Sequence, residues 1–425
     1  MPHTPAAAAS AGCRRPPPRA AAQAPDLRGR RTYDDAMPSR ATKRGGQRTP
    51  LQLDCDVLIC GASFAGLAVA RELAGAGARV LLLDRYEIGE RQTSACGIPT
   101  DWLHCLSLQG SLRQTFDSLL VHTPWTSVRW PLPWSFSTFD YRELCGTLWE
   151  QTELPDSAFE TAKVEGIEAA VTGAPRVVRT DRGEIRARYV VDALGWRRVL
   201  SRSIAIQPPE ARMSRGLEVH PEGTGREMEL WIDAGYVRAG YGWSFPAADE
   251  IRVGVGSFWP KHHVREPTVR LAADLGLPAD GYQGNWIPHQ LRPAVEEGVF
   301  FVGDSAGHCL PLTAEGIRTA FYFGIACGRE LRATLEGRIS GGQALQRYGA
   351  FSDSHERKYR WLLRSQQMVG RLTTTRAVTA LSHAMARRRV SAWAFEHYLE
   401  IAPPSFAAPP RSTLRAPSRT ATAAA

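Results

Sequence analysis

The sequence predicts an α/β fold: a doubly wound sheet interrupted by an antiparallel α+β layer and followed by a helical C-terminal region. Three observations lead to this prediction. A short apolar strand, a glycine turn and a helix open the folded part near Leu51, and the same strand–turn–helix order recurs about 240 residues later. Between them, residues 213–258 alternate between apolar and polar types, as antiparallel strands do. Residues 343–400 have apolar residues at helical spacing.

Charge is distributed unevenly along the 425 residues. Residues 1–50 hold ten Lys/Arg and three Asp/Glu, and residues 403–425 hold three Arg and no acid. The body, residues 51–402, holds 39 basic and 40 acidic residues, a net charge of −1. A body without a strong positive field does not favour a polyanionic partner, so we expect no binding of nucleic acid. The overall charge of +9 belongs to the two ends of the chain.

The composition of the two chain ends and the spacing of the cysteines further narrow the possible classes of protein. Residues 1–50 are rich in Ala, Pro and Arg without apolar periodicity, which predicts a disordered extension. A translation start at Met37 is favoured over an organelle transit peptide as its explanation. Residues 403–425 have a similar composition and are also predicted to be disordered. No pair among the eight cysteines has Cys-x-x-Cys spacing, so we expect no metal or iron–sulfur cluster, and reduced thiols indicate a cytoplasmic protein.

The first motif lies between two apolar strands, Asp56–Cys60 and Arg79–Asp84. Glycine turns in this context hold a dinucleotide pyrophosphate on a helix N-terminus, and a carboxylate about 20 residues later binds a ribose. Asp84 has that spacing, with Arg85 directly after it, whereas a serine replaces the usual second glycine of the turn. The predicted pyrophosphate-binding residues are Gly61, Ala62, Ser63, Phe64, Ala65 and Gly66.

The second motif is a Gly-Asp pair after the apolar strand Val299–Val302. It resembles the second FAD fingerprint of the para-hydroxybenzoate hydroxylase superfamily. The resemblance implies that Asp304 binds the ribityl chain of FAD and that the helix starting near Gly316 faces the N1/O2 side of the flavin. A positive helix end stabilises negative charge on a reduced flavin. The cofactor-binding residues implied here are Gly303, Asp304, Gly307, Pro311, Gly316 and Ile317.

Three further positions follow from the same resemblance. Val191–Arg198 resembles the superfamily's Asp-Gly element, which closes over the pyrophosphate, although Ala193 stands in place of the glycine. The resemblance implies that Asp192 binds the cofactor. Arg142 is implied as a contact to the FAD phosphates, displaced by one position from the usual Asp-Arg pair. Val164 matches a position whose backbone contacts adenine.

Two segments narrow the resemblance to geranylgeranyl reductase-like oxidoreductases. Residues 240–246 resemble the Tyr-x-Trp-x-Phe-Pro segment that lines the isoprenoid channel in that family, although Arg238 replaces the family's proline. Cys96-Gly97 resembles the Cys-Gly pair beside the flavin, so the Cys96 thiol is a candidate proton donor; a buried, structural thiol is the alternative. The implied substrate-binding residues are Tyr241, Trp243, Phe245 and Pro246.

These patterns predict an FAD-dependent oxidoreductase that reduces C=C bonds of an isoprenoid or other lipid-like substrate. A monooxygenase is the alternative, and a halogenase or a quinone-linked electron-transfer flavoprotein fits less well. No second dinucleotide fingerprint is visible, so NAD(P)H or a protein electron donor would reduce the flavin transiently. The helices of residues 343–400 include the basic run Arg387–Arg389. Two interpretations of this run stay open: peripheral contact with a membrane, or a solvated basic face.

The domain organisation expected from these motifs is discontinuous. A Rossmann-like FAD-binding domain is formed by two separate parts of the chain, with a substrate-binding sheet inserted between them. The predicted ranges are 51–200 and 285–340 for the FAD-binding domain, 201–284 for the inserted sheet and 341–402 for the helical region.

Overall fold

The computed structural model describes residues 49–152, 156–171, 173–204, 213–371 and 375–408. It has two eight-stranded sheets, with helices on the first sheet and a helical C-terminal region, and this confirms the predicted fold class. The strands are β1 (Leu53–Cys60), β2 (Val80–Asp84), β3 (Gly97–Pro99), β4 (Leu112–His122), β5 (Ser127–Phe139), β6 (Ser157–Thr161), β7 (Val164–Ile167), β8 (Arg176–Thr180), β9 (Gly183–Asp192), β10 (Met213–Val219), β11 (Glu229–Trp231), β12 (Gly240–Ala247), β13 (Glu250–Ser257), β14 (Gln283–Pro288), β15 (Val295–Glu296) and β16 (Val299–Phe301).

The helices lie mostly in the second half of the chain. Within the part of the chain that the structure describes, four short 3₁₀ turns accompany them, including Gly303–Ala306 and Pro404–Ala407. The α-helices are α1 (Phe64–Leu73), α2 (Thr100–Cys105), α3 (Tyr141–Glu150), α4 (Arg265–Asp274), α5 (Ile317–Leu335), α6 (Gly341–Asp353), α7 (Glu356–Arg371), α8 (Thr375–Met385) and α9 (Arg388–Leu399).

The first sheet has the order β15-β16-β9-β1-β2-β6, and its five strands from β16 to β6 are parallel. β7 and β8 extend it as an antiparallel branch from β9. The central strands are apolar because helices cover the sheet; Val57–Cys60 and Val190–Val191, for example, are fully buried. The carboxyl ends of β1, β9 and β16 therefore meet at one edge, where both glycine turns begin.

The second sheet has the order β14-β10-β13-β12-β11-β4-β5-β3. Its neighbours are antiparallel except β11 and β4. Residues 97–139 contribute three of these strands, although the sequence places them in the FAD-binding domain. The inserted sheet also runs on to Pro288, past the predicted end at 284. The long strands β4 and β5 escape prediction because their burial is irregular, with bulges near Gln114 and Ser118.

Small residues bring helices α1 and α5 close together. A Cβ at Gly324 would lie 2.7 Å from the Ala65 carbonyl oxygen, and one at Gly328 would lie 2.6 Å from the Glu72 Cβ. Helix α1 begins in the first glycine turn, and α5 follows the second glycine turn along the chain, so this packing holds the two turns near each other. A Cβ at Gly303 would meet the Ala65 Cβ at 3.0 Å, which shows how close the turns lie.

The C-terminal region is anchored by a buried arginine. Arg318 on α5 is fully buried, pairs with Glu315 and donates to the carbonyls of Leu399 and Ala402 at the end of α9. The chain beyond Pro403 remains packed: Phe406 lies 4.3 Å from the ring of Tyr322, centroid to centroid. Residues 403–408 are therefore folded, and the predicted start of the disordered tail at 403 is too early. Residues 1–48 and 409–425 lie outside the described residues.

Candidate active site

A cavity of about 1460 Å³ lies between the carboxyl edge of the first sheet, the second sheet and helices α7–α9. It is much larger than a pocket for a drug-sized ligand, which suits a dinucleotide together with an elongated substrate. Both glycine turns and the aromatic strand β12 line it. The predicted site residues that line this cavity are Ala62, Ser63, Phe64, Ala65, Asp84, Arg85, Cys96, Val164, Tyr241, Trp243, Phe245, Gly303, Asp304, Gly316 and Ile317.

The first glycine turn requires glycine at both ends. Gly61 has φ +111°, and a Cβ there would lie 2.3 Å from the Ala193 carbonyl oxygen. A Cβ at Gly66 would lie 1.8 Å from the Gly61 carbonyl oxygen. Ser63 precedes α1 but does not cap it; its hydroxyl instead accepts a hydrogen bond from the Tyr141 hydroxyl at 3.2 Å. The first N–H groups of α1 are thus left for an anion.

Asp84 lies at the end of β2 and holds the first turn in place. Its carboxylate accepts hydrogen bonds from the N–H of Ala62 at 2.8 Å and of Tyr86 at 3.1 Å. Burial raises the pKa of Asp84, and the two N–H donors oppose that rise. Because one carboxylate both supports the turn and lines the cavity, it is suited to accept hydrogen bonds from a ribose.

Asp192 does not face the cavity, although the resemblance to the Asp-Gly element implies that it contacts the cofactor. It is fully buried and is not among the cavity-lining residues. Its carboxylate accepts hydrogen bonds from the N–H of Leu194 and Leu200 and from the Ser305 hydroxyl at 2.6 Å. Asp192 therefore ties the loop after β9 to the second glycine turn, and Ala193, Leu194 and Gly195 of that loop line the cavity in its place.

The second glycine turn is a 3₁₀ turn that places Asp304 at the cavity wall. Burial raises the pKa of Asp304 to about 6, whereas the positive charge of Arg292 opposes the rise. Gly307 has φ +66°, and a Cβ there would lie 1.9 Å from the Gln290 carbonyl oxygen. Gly316 precedes α5 without a capping side chain, so this helix also presents free N–H groups to the cavity.

The aromatic strand β12 points Tyr241, Trp243 and Phe245 to the same face. The Trp243 ring lies over a glycine patch formed by Gly216 and Gly254 with their neighbour Gly256; a Cβ at Gly254 would meet the ring at 2.3 Å. The Tyr241 hydroxyl donates to the Thr313 carbonyl. Together these rings form an apolar wall that contacts Thr313, in the segment between the second glycine turn and α5.

Cys96 directly precedes β3 of the second sheet and is fully buried. It adopts the left-handed conformation, with φ +50°, a geometry that is uncommon for a residue with a side chain. Arg252 holds this loop by donating to the carbonyls of Ala95 at 2.8 Å and of Cys96 at 3.4 Å. Burial raises the pKa of the Cys96 thiol well above 9, and Arg252 opposes the rise, so the thiol is protonated at neutral pH.

Seven predicted site residues do not line the cavity. Gly61, Gly66 and Gly307 instead shape the turns from behind, as their blocked Cβ positions show. Arg142 is exposed on α3. The residues absent from the cavity wall are Gly61, Gly66, Arg142, Asp192, Pro246, Gly307 and Pro311.

Sequence reasoning missed several charged residues that line the site or support it from outside the cavity. Arg198 and Arg252 are 1% exposed; Arg198 donates to the Ser305 carbonyl at 2.8 Å and pairs with Glu296. Glu218 is 2% exposed, lines the cavity and accepts a hydrogen bond from the Trp243 indole at 3.2 Å. One pattern in the sequence could have indicated them: a charged residue inside an apolar strand. Arg252, between Ile251 and Val253, is an example.

The geometry fits FAD. Two helix N-termini without side-chain caps, at glycine turns where a Cβ would meet backbone atoms, suit the phosphates. Asp84 and Asp304 at the cavity wall suit the ribose and ribityl hydroxyls. Among the described residues there is no group of three or more His, Cys, Asp or Glu side chains that could hold a metal ion. The fold and the cavity together define an FAD-dependent oxidoreductase.

Comparisons with known proteins agree with this class. A family model described as lycopene cyclase protein matches residues 56–224. A digeranylgeranylglycerophospholipid reductase of Methanosphaera stadtmanae is 26% identical over 338 residues, which is 71% of this chain and 83% of the relative. These findings confirm the resemblance to geranylgeranyl reductase-like FAD-dependent oxidoreductases.

Two solved structures share the fold. A geranylgeranyl bacteriochlorophyll reductase-like protein of Thermoplasma acidophilum superposes with a TM-score of 0.71 at 16% identity, covering 84% of this chain and 98% of that one. A probable FAD-dependent monooxygenase of Pseudomonas aeruginosa superposes with a TM-score of 0.57 at 18% identity, covering 82% of this chain and all of that one. At these identities the likeness concerns the fold alone.

Proposed function

We propose that this chain reduces C=C bonds of an isoprenoid or lipid-like substrate with electrons from reduced FAD. The observation that carries the proposal is the apolar aromatic wall of Tyr241, Trp243 and Phe245. It shares one cavity with Asp304 of the second glycine turn and with Gly316 at the start of α5. A long apolar chain lying on that wall would place a double bond beside the flavin. The name of the Methanosphaera relative, a reductase of a geranylgeranyl lipid, supports the same substrate class.

The cofactor roles that we propose follow the cavity wall. Residues 62–65 at the start of α1 would bind the pyrophosphate, with Asp84 and Arg85 at the adenosine ribose and the Val164 backbone at adenine. Asp304 would bind the ribityl chain, with Gly316 and Ile317 facing the flavin. Arg142 and Asp192 are left out of this set because neither lines the cavity.

Bound FAD would supply a hydride to one carbon of the double bond, and the other carbon needs a proton. Cys96 is suited to hold that proton, because burial keeps its thiol protonated and Arg252 fixes its backbone. The aromatic wall would exclude water from the double bond. Glu218 lies on the same wall and would orient Trp243 through the indole hydrogen bond.

We also propose that NAD(P)H or a protein electron donor reduces the flavin and leaves before the substrate reacts. Mixing the holoenzyme anaerobically with NADH or NADPH, and following the loss of flavin absorbance, identifies a nicotinamide donor. If neither nucleotide reduces the flavin but a small ferredoxin-type protein does, the donor is a protein.

The decisive experiment uses the photoreduced holoenzyme without oxygen. A polyprenyl substrate should reoxidise the flavin at a rate that depends on substrate concentration, and mass spectrometry should find a product heavier by two hydrogens. Reoxidation by oxygen alone contradicts the proposal. Oxygen consumption that depends on the substrate, with an oxygenated product, would instead support the monooxygenase alternative, whose fold neighbour is the Pseudomonas protein.

We propose a cytoplasmic location with contact at a membrane surface. The seven cysteines among the described residues are free thiols, which supports a reducing compartment. No helix in the described parts of the chain is long and apolar enough to cross a bilayer. A lipid-like substrate resides in a membrane, so an enzyme that acts on it needs a surface on which to meet it.

A further inference from the structure

Large apolar side chains are exposed together on helices α7, α8 and α9. Trp361 and Met368 on α7 are each 61% exposed, and Trp393 on α9 is 59% exposed. Leu381 on α8 and Val390 on α9 are also exposed. These five residues, here called the apolar face, account for most of the exposed large hydrophobic residues in the described chain. Such a concentration marks an interaction surface.

The helices that carry the apolar face are strongly basic. Residues 356–399 hold nine Lys/Arg and two Asp/Glu, a net charge of +7. The body as a whole has a net charge of −1, so the rest of residues 51–402 carries −8. All nine basic side chains are exposed. Within the described residues, Arg360 alone among them has a recorded ion pair with a carboxylate, Glu356.

The apolar face also borders the cavity of the active site. Trp361, Met368, Leu381 and Trp393 are exposed and at the same time line the cavity, so they form its rim. Below this rim, Phe395 on α9 packs edge-on against Trp134 of β5 at 5.9 Å between centroids. The apolar lining is therefore continuous from the exposed rim to the strands of the second sheet.

We propose that helices α7–α9 dock on an anionic lipid bilayer, with the apolar face inserted at the interface and the cavity opening into the lipid. The proposal rests on the proposed function for the identity of the substrate. Tryptophans favour the membrane–water interface, where their rings are apolar and their N–H groups stay hydrated. Arginines beside them attract anionic head groups, and each raises the partition coefficient about fivefold near the surface.

Charge argues against other occupants of this face. A second copy docked through the same face would bring two surfaces of +7 together. The parts of the chain outside the described residues are also basic: residues 1–48 carry +7, and residues 409–425 carry +3. An anionic bilayer is the occupant whose charge complements the face and whose interior matches its apolar residues.

The test is flotation of the FAD-loaded full chain with lipid vesicles. We expect it to float with phosphatidylcholine vesicles that contain phosphatidylglycerol, much less with phosphatidylcholine alone, and less at high salt because the charges are screened. Replacing Arg387, Arg388 and Arg389 with Gln should lower the partition coefficient roughly 100-fold. Replacing Trp361 and Trp393 with Ser should lower it by at least about tenfold.

The matched control changes three exposed arginines of the first sheet, Arg179, Arg186 and Arg188, to Gln. This variant should float like the parent. Three results would each overturn the proposal. The two arginine variants could lose vesicle binding equally, or the parent could bind neutral and anionic vesicles equally. The third is a dimer that dissociates when Trp361 is replaced.

Reductase activity separates this proposal from the proposed function. The variant lacking Arg387–Arg389 should keep its activity on a detergent-dispersed polyprenyl substrate, because none of the three lines the cavity, and lose activity on substrate in vesicles. A parent protein that floats on anionic vesicles but reduces no C=C bond refutes the proposed function and leaves the docking surface standing. Activity without flotation refutes the docking surface alone.

Discussion

Cys96 combines a strained backbone with a thiol that stays protonated. Its φ of +50° is held by Arg252, and burial raises its pKa well above 9. If the thiol gives its proton to the substrate, Cys96→Ala should lower kcat for C=C reduction by about 10²-fold or more. The pH profile of the parent should show no loss of rate from thiol ionisation up to about pH 9.

The control for Cys96 is Cys327, another fully buried cysteine, which lies on α5 and does not line the cavity. Cys327→Ala should leave kcat within about twofold, since only a methyl-sized volume is lost far from the substrate. Cys96→Ser should recover part of the rate because a hydroxyl can still donate. An unchanged kcat in Cys96→Ala, with FAD bound, would assign the thiol a packing role only.

Glu296 is the residue whose ionisation we expect to matter for acid stability. Its burial alone would raise the pKa, but hydrogen bonds from Ser201, from the N–H groups of Ser203 and Arg202, and from Arg198 outweigh burial and lower the pKa to about 2. A carboxyl with a lowered pKa stabilises the fold above its unfolded value of 4.5, and that contribution is lost as the pH falls toward 2.

Between pH 6 and pH 3, wild-type protein should lose about 2 kcal/mol more unfolding free energy than Glu296→Gln, which carries no titrating carboxyl. Urea unfolding at each pH measures the difference. The neighbouring Glu297 provides the control, because it is half-exposed and pairs with Arg202 only at 3.7 Å; Glu297→Gln should track wild type. Parallel curves for wild type and Glu296→Gln would show that ionisation of Glu296 does not contribute to stability in this pH range.

At the scale of single elements, the glycine patch under Trp243 gives a graded test of the aromatic wall. A Cβ at Gly254 would lie 2.3 Å from the Trp243 ring and 2.6 Å from the Leu217 carbonyl oxygen, whereas one at Gly256 would lie 3.4 Å from the ring. Gly254→Ala must displace the indole and break its hydrogen bond to Glu218. Gly256→Ala requires no such movement.

Gly254→Ala should therefore lower the unfolding free energy by about 1–3 kcal/mol and raise KM for the polyprenyl substrate. Gly256→Ala should cost less than about 1 kcal/mol and leave KM unchanged. Denaturant unfolding and steady-state kinetics measure the two effects. Equal behaviour of the two variants would show that Trp243 does not depend on the glycine patch for its position.

The elements that sequence predicted well are those whose signal is local. Strand β1, the turn from Gly61, helix α1 and strand β2 follow one another within about 30 residues, so apolar runs and glycines define them. The second sheet was predicted only between residues 201 and 284 because β4 pairs with β11 across more than 100 residues. The pattern of apolar residues within either strand does not predict that the two strands pair.

The same reasoning explains which parts of the site were missed. Arg252 bonds to the Ala95 carbonyl from 157 positions away, and Arg198 bonds to Ser305 from 107 positions away. A charged residue in a strand is usually solvated, so a buried partner cannot be predicted without the tertiary structure. Asp192 shows the reverse case: its position matched a known element, but its carboxylate turns inward to Ser305.

At the scale of the whole molecule, one cavity is lined by both sheets and the C-terminal helices, so we expect FAD binding to be coupled to the folding of all three. A ligand that binds only the native state stabilises it by about 4 kcal/mol at a concentration 1,000 times its Kd. Removing FAD should therefore lower the melting temperature of the entire chain in one transition. Calorimetry of the apoprotein, with and without added FAD, measures this shift.

Two glycine variants distinguish cofactor binding from backbone strain. Gly61→Ala should abolish the FAD-dependent shift, because its Cβ would lie 2.3 Å from the Ala193 carbonyl oxygen behind the phosphate-binding turn. Gly77→Ala also places a side chain at positive φ, +66°, but no atom lies within 4 Å of the new Cβ. It should melt earlier than the parent in the apo form and still gain the full shift with FAD. If Gly61→Ala is unfolded without FAD, Asp304→Ala at the cavity wall tests the same claim, and a full FAD shift in that variant would refute the cofactor's proposed position.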